Sequence, residues 1–354
     1  MWKRGRVKMT IEWLAGNRLR GTTAERPEYG LPSGSVGGWK EISRDILGSA
    51  GLPAISTFDS KRYYMLLYHS TGASNTTSSR LRYNSTNGDY GYRVSNDGGS
   101  EGSGGSEVTD FLTWAKDDKP SFVVKYISNL AGKEKLHISH VSQSTGSTTV
   151  SRSETVGKWR DTSSNITSFD MTKSSGTLNA GTEVVVLGWD PSDTHTDNFW
   201  EQLYTDSKTG QSTDNIDTGT FTNKKYLWVQ LWCKGTGNTT VKATFNNSTD
   251  STYAYRASND GGSEITASGT NFVLHNTKAN DDKFVNMFIV NDGTNEILGI
   301  AHTAEGNSDG EGVAPQRRET AFQRSTATAI TDIEFDNDDT GSFTDWELKV
   351  WGHD

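Results

Sequence analysis

At 354 residues the chain has room for two domains of about 150 residues each. Only 32% of it is hydrophobic, so the cores must lean on its 11 Trp, 12 Tyr and 13 Phe, each able to bury ~150–250 Å². The net charge of −9 argues against a general nucleic-acid binder. A single cysteine, Cys233, excludes an intramolecular disulfide framework. No run reaches the ~18 apolar residues of a membrane helix.

The first segment, 1–38, carries Lys3, Arg4, Arg6, Lys8, Arg18, Arg20 and Arg26 against Glu12, Glu25 and Glu28. No apolar stretch follows its basic start, so it does not read as a secretory signal. It holds little that could form a core. It reads as an extended arm, disordered alone and tied down by a neighbouring copy or another protein. Strand-like runs then follow at Arg62–Ser70, Ser121–Ile127 and Glu183–Leu187, and after a linker at Lys225–Cys233, Phe284–Val290 and Glu347–Trp351. Each has the length expected of a strand, and the stretches between them are rich in Gly, Ser, Thr, Asn and Asp, the residues of turns. One short helical turn is expected at Trp200-Glu201-Gln202-Leu203.

The order of these runs repeats. Tyr90-Gly-Tyr92-Arg93-Val-Ser95-Asn96-Asp97-Gly98-Gly99-Ser100-Glu101 returns as Tyr253-Ala-Tyr255-Arg256-Ala-Ser258-Asn259-Asp260-Gly261-Gly262-Ser263-Glu264, an offset of 163 residues. Trp39 matches Trp200, Lys61-Arg62-Tyr63 matches Lys224-Lys225-Tyr226, Asn129 matches Asn291, and His140 matches His302 at nearly the same spacing. Such an offset is too long for a solenoid and suits a whole domain. The expected architecture is all-β: an N-terminal arm (1–38), an antiparallel β-sandwich (39–190), a linker (191–199) and a second, homologous sandwich (200–354). Ser-Asn-Asp-Gly-Gly is expected to be a turn, because Asn, Asp and Gly tolerate positive φ.

A search for reactive chemistry finds little. No Gly-x-Ser-x-Gly, His-Glu-x-x-His or Walker motif is present, and nothing singles out a carboxylate pair, so the chain is not expected to be an enzyme. His137 and His140 lie three apart on one strand and so face opposite ways; His140 and His302 are expected to be edge-of-strand polar residues. Asp336, Asp338 and Asp339 lie in an acidic run that could present oxygen ligands to Ca²⁺, although a solvated turn explains them as well. No other cofactor is implied. Cys233, on an apolar strand, is expected to be a buried thiol. The sequons at Asn75, Asn84, Asn165, Asn238 and Asn247 are expected by chance in a chain so rich in Asn, Ser and Thr.

The strand faces say more. In Tyr226–Cys233 one face presents Leu227, Val229, Leu231 and Cys233 and the other Tyr226, Trp228, Gln230 and Trp232; the matching strand of the first copy has Tyr63, Met65 and Leu67 on its second face. A half-exposed strand should alternate apolar and polar. The second face is therefore either covered within its own domain, or packs on another domain or subunit, or is an aromatic platform for sugars. Tyr226, Trp228, Trp232, Tyr63 and Trp159 are the candidate interface or glycan-facing residues.

Gly30–Trp39, Lys61-Arg-Tyr-Tyr64, Tyr90-x-Tyr-Arg-x-Ser-Asn-x-Gly-Gly99, Lys133–Ile138, Gly181–Asp190 and Glu347–Gly352 give the chain its family likeness. On these it resembles uncharacterised tandem β-sandwich proteins encoded in environmental phage and virus genomes. The resemblance implies a jelly-roll-like fold and a virion structural role, as capsid, turret, fibre or tail decoration. The expected partners are then further copies of the chain and other virion proteins, at the virion or extracellular surface, with no nucleic acid or membrane. The alternative is a carbohydrate-binding protein whose aromatics stack on host-surface glycans.

Overall fold

The computed structural model describes residues 38–354 apart from 77, 109–110, 115–117, 147–148, 174, 192, 194–197, 280 and 307–314, with the backbone alone at 105–108, 111–114 and 276–279. The arm expected over 1–38 thus lies outside the described residues save Gly38, as do His195 and most of the 191–199 linker.

Among the described residues every regular element is a β-strand. The first half runs β1 (Lys40–Ile46), β2 (Ala54–Ile55), β3 (Tyr63–Ser70), β4 (Ser79–Tyr83), β5 (Tyr90–Asn96), β6 (Gly102–Val108), β7 (Phe111–Trp114), β8 (Ser121–Ser128), β9 (Lys135–Ser144), β10 (Val150–Trp159), β11 (Phe169–Lys173) and β12 (Glu183–Trp189). The second runs β13 (Glu201–Lys208), β14 (Asn215–Asp217), β15 (Tyr226–Thr236), β16 (Asn238–Phe245), β17 (Tyr253–Asn259), β18 (Glu264–Gly269), β19 (Phe272–Ala279), β20 (Lys283–Val290), β21 (Ile297–Glu305), β22 (Gln316–Arg324), β23 (Ile333–Asp336) and β24 (Ser342–His353). The helical turn expected after Trp200 is instead the start of β13, held along β24 from Glu201↔Gly352 onward. Ladder pairing overrides the local pattern there.

Each half has a large sheet, β1-β12-β3-β8-β9-β10-β5-β6, and a small one, β2-β11-β4-β7; the second half repeats both orders strand for strand. Pairing is nested, β1 with β12, β2 with β11, β3 with β8 and β4 with β7. That is a long hairpin rolled into two sheets, the jelly-roll arrangement. The hairpins β5–β6 and β9–β10 extend the large sheet to eight strands.

Polar residues matched between the halves hold equivalent joints. Asn129 donates from Nδ2 to the Lys61 carbonyl (2.8 Å) and accepts at Oδ1 from Ile166 N (2.9 Å). Asn291 does the same with Lys224 O (3.0 Å) and Ile330 N (2.7 Å). Tyr90 and Tyr253 each accept, at the hydroxyl, from the backbone N of Tyr83 and Phe245. The Ser-Asn-Asp-Gly-Gly segments are tight hairpin turns. Asp97 and Gly98 have φ of 52° and 64°, Asp260 and Gly261 53° and 71°, the double positive φ that matches strand twist. The turn aspartates also accept from the neighbouring strand, Asp97 from Arg152 N and Asp260 from Arg317 N, both at 2.8 Å.

One core fills each sandwich, around Tyr64, Leu66, Tyr83, Trp159 and Val186 in the first half and Leu227, Val229, Leu231, Phe272 and Phe322 in the second. A third lies between the halves, where Met65, Leu67, Phe122, Val124, Val185 and Leu187 meet Phe199, Trp200, Tyr226, Leu298, Ile300 and Trp351. It joins the outer faces of the two large sheets. Two contacts across it pair equivalent positions, Tyr126 with Phe288 (ring centroids 6.4 Å) and His140 with His302 (4.3 Å). Self-equivalent contacts of this kind place an approximate two-fold axis near them.

Candidate functional site

Side chains alternate across a strand, so each large sheet has one face on its sandwich core and one facing outward. In the first half two outward rows cross the sheet near one end. One reads Trp189–Tyr63–Ser128–Leu136–Lys158 and the next Leu187–Met65–Tyr126–Ile138–Val156. Leu136, Ile138 and Val156 are 53%, 52% and 49% exposed. Tyr63 stacks on Trp189, with ring centroids 5.3 Å apart and planes 26° apart. With Trp39 and Tyr126 these residues line an open cavity of about 1060 Å³, at the upper end of the size range of ligand sites. Its rim is charged but self-neutralised: Arg93 pairs with Glu101 (2.7 Å), Lys158 with Glu134 (3.1 Å) and Arg160 with Asp89 (2.6 Å). The floor is aliphatic and aromatic, suited to apolar side chains.

The same rows in the second half read His353–Tyr226–Val290–Leu298–Gln323 and Trp351–Trp228–Phe288–Ile300–Ala321. Here Leu298, Ile300 and Ala321, the equivalents of the three exposed residues, are 0%, 5% and 0% exposed. Leu298 and Ile300 are covered because they belong to the core shared with the next rows of the first half, which carry Leu67, Val124, Val185 and Phe122. The second half has Gln230, Asn286, Lys349 and Phe284 at those positions, and Phe284 is exposed. The second half thus presents no matching apolar seat to the first half's open rows.

Polar groups close the rest of the seam between the halves. Arg152 is bound by Glu154 and Glu264 and by Glu319 at 2.6 Å. Burial, then the bond to Glu319, raises the Glu154 carboxyl above the usual carboxylate range. Burial works against the Glu319 charge, but its bonds to Glu154 and Arg152 hold it low. Tyr226 donates its hydroxyl to Glu183 (2.8 Å), which also holds Arg44 (2.7 Å) and Lys225. His302 Nε2 lies 3.2 Å from His140 Nδ1. Burial keeps both imidazoles neutral, pushing His140 down to about 3, and it lowers His69, beside Asp292, to about 4. His140 and His302 are therefore seam residues on inner strands, unlike the edge positions expected; their equivalence in sequence was the only signal.

The candidates chosen from the sequence are scattered. Tyr63 lies on the open face. Tyr226 is fully buried in the seam, so it faces the other half and no glycan. Trp228 is half-buried, stacked on Phe288 (5.4 Å) and bonded through Nε1 to Asn286 (2.7 Å). Trp232 stands beside Phe284 on the second half's outer face. Trp159 is buried in the first sandwich against Tyr83 and Tyr90, which removes it as a glycan-facing residue. Among the described residues no group of three or more His, Cys, Asp or Glu is arranged to hold a metal. Asp336, the last residue of β23, accepts from Asn215 (3.3 Å), Asp338 is bound by Lys242, and Asp339 accepts from Thr340 N. Cys233 is buried, its thiol pushed up to about 12 by burial. Leu136, Ile138, Val156 and Trp189 were missed, because strand register decides which rows a partner sheet covers.

No protein-family model and no curated protein matches the chain. Among solved structures it aligns with the crystal structure of Pseudomonas aeruginosa OpdQ over 82% of this chain and 97% of that one, at 7% identity. The TM-score is 0.12, at which the likeness carries no argument.

Proposed function

We propose that the protein is an assembly component, a virion structural protein whose first half docks a polypeptide segment on its open sheet face. The observation that carries this reading is the contrast between exposed Leu136, Ile138 and Val156 and their buried equivalents Leu298, Ile300 and Ala321. Water-exposed aliphatic side chains clustered in one concavity mark an interaction site. The jelly-roll arrangement is common to viral capsid and lectin domains, and fold alone does not choose between them. The virion assignment draws on the sequence resemblance. Light scattering of the full chain tests the reading: the protein should self-associate, and Ile138→Asp should shift it toward monomer. A strict monomer at high concentration would contradict it.

The stacked Tyr63–Trp189 pair favours one alternative, a glycan platform. Sugar sites also need polar partners for hydroxyls, and here the rim charges already pair with each other. A glycan panel decides: loss of binding in Trp189→Ala, with self-association unchanged, would support the alternative.

A further inference from the structure

We propose that the occupant of the first half's open face is residues 1–37 of this chain. The proposal rests on the docking reading above and names the partner.

Four observations point to this segment. It joins the described chain at Gly38, next to Trp39, which lines the cavity and is fixed at the seam by accepting from Phe199 N (2.9 Å). The second half shows what a lead-in residue does at this place. Phe199, one residue before Trp200 as Gly38 is before Trp39, stacks on His353 (4.2 Å) and reaches Tyr226 (6.5 Å), covering its half's first row. Glycine at 38 leaves that cover to residues further upstream. Reach is ample: 37 extended residues span up to ~120 Å, and the face crosses some six strands at ~4.8 Å each. Composition fits as well. The segment offers Trp2, Ile11, Trp13, Leu14 and Leu19, and carries seven basic against three acidic residues, whereas the remainder carries 28 basic against 41 acidic. The opposite net charges favour encounter at long range, while the rim's own charges are already paired. A second copy docking through the inter-half geometry is a poorer occupant, since the seat would present Gln230, Asn286 and Lys349 in place of Leu67, Val124 and Val185.

Limited trypsin digestion of the full chain tests this, because Arg18 and Arg20 lie within the segment. Cleavage there tracks the undocked population. The parent should lose the segment slowly. Leu136→Asp/Ile138→Asp should lose it ~10-fold faster, as expected for ~1.4 kcal/mol of docking. Phe284→Asp, on the second half's exposed face, should match the parent. The milder Ile138→Ser should move the same way, and resistance of 38–354 to cutting reports that each variant is folded. Equal rates for parent and both face variants, all folded, would overturn the proposal. Light scattering on the same samples separates the two readings. Protection in a strict monomer keeps this occupant and removes assembly; self-association without protection does the reverse.

Discussion

The two halves carry one fold and one outward face, and use the face differently. In the second half Leu298, Ile300 and Ala321 are buried; in the first, Leu136, Ile138 and Val156 are about half exposed, uncovered by the second half. The difference comes from the next rows. Leu67, Val124 and Val185 give the second half a seat, and Gln230, Asn286 and Lys349 deny the first half one. Polar residues at these positions of the second half thus leave the first half's rows at Leu136, Ile138 and Val156 without a seat. Function on this reading lies in what the copies do not share, while the conserved-looking turn and asparagine joints are needs of the fold in both.

Breaking the seam should have the largest effect. Arg152→Ala strands Glu154, Glu264 and Glu319 beside one another, and removing one partner from a buried ionic cluster costs about 3–5 kcal/mol. Denaturant unfolding measures the loss, and Arg93→Ala, on the first half's exposed rim, should change stability by less than about 0.5 kcal/mol. Acid should act next. His69 and His140 are held neutral in the fold, with values depressed to about 4 and about 3. Their stabilisation is complete above the unfolded value near 6.5 and is lost as pH falls through that value toward the folded one. For His69 the total is on the order of 3 kcal/mol. Melting temperature should fall between pH 6.5 and 4, less steeply in His69→Gln. The shared turn should matter least. Asp260→Ala removes one bond, to Arg317 N, and should cost about 1 kcal/mol. Asp97→Ala should cost more, because Asp97 also pairs across the seam with Arg256 (3.2 Å).

Much of this was legible in the chain. The 163-residue offset gives two copies of one all-β unit, and Asn-Asp-Gly-Gly gives its turn. The strand Tyr226–Cys233, apolar on both faces, announces a covered second face. The sequence does not say which rows are covered. Sliding one sheet along another by two residues exchanges Ile138 for His140 at the seam, and nothing local fixes that slide. Trp159 looked like a surface aromatic because a Trp on a polar strand gives no sign of its face until register places it inward. For Asp336, Asp338 and Asp339 the sequence left a solvated turn and a cation loop both open, because the partners Asn215 and Lys242 lie about a hundred residues away.

The central claim is that equivalent positions are buried in one half and open in the other. Paired truncations measured by denaturant unfolding test it most directly. Leu298→Ala should cost about 2–5 kcal/mol, the range for emptying a packed site. Leu136→Ala should cost under about 1 kcal/mol. Equal losses at the two positions would contradict the account.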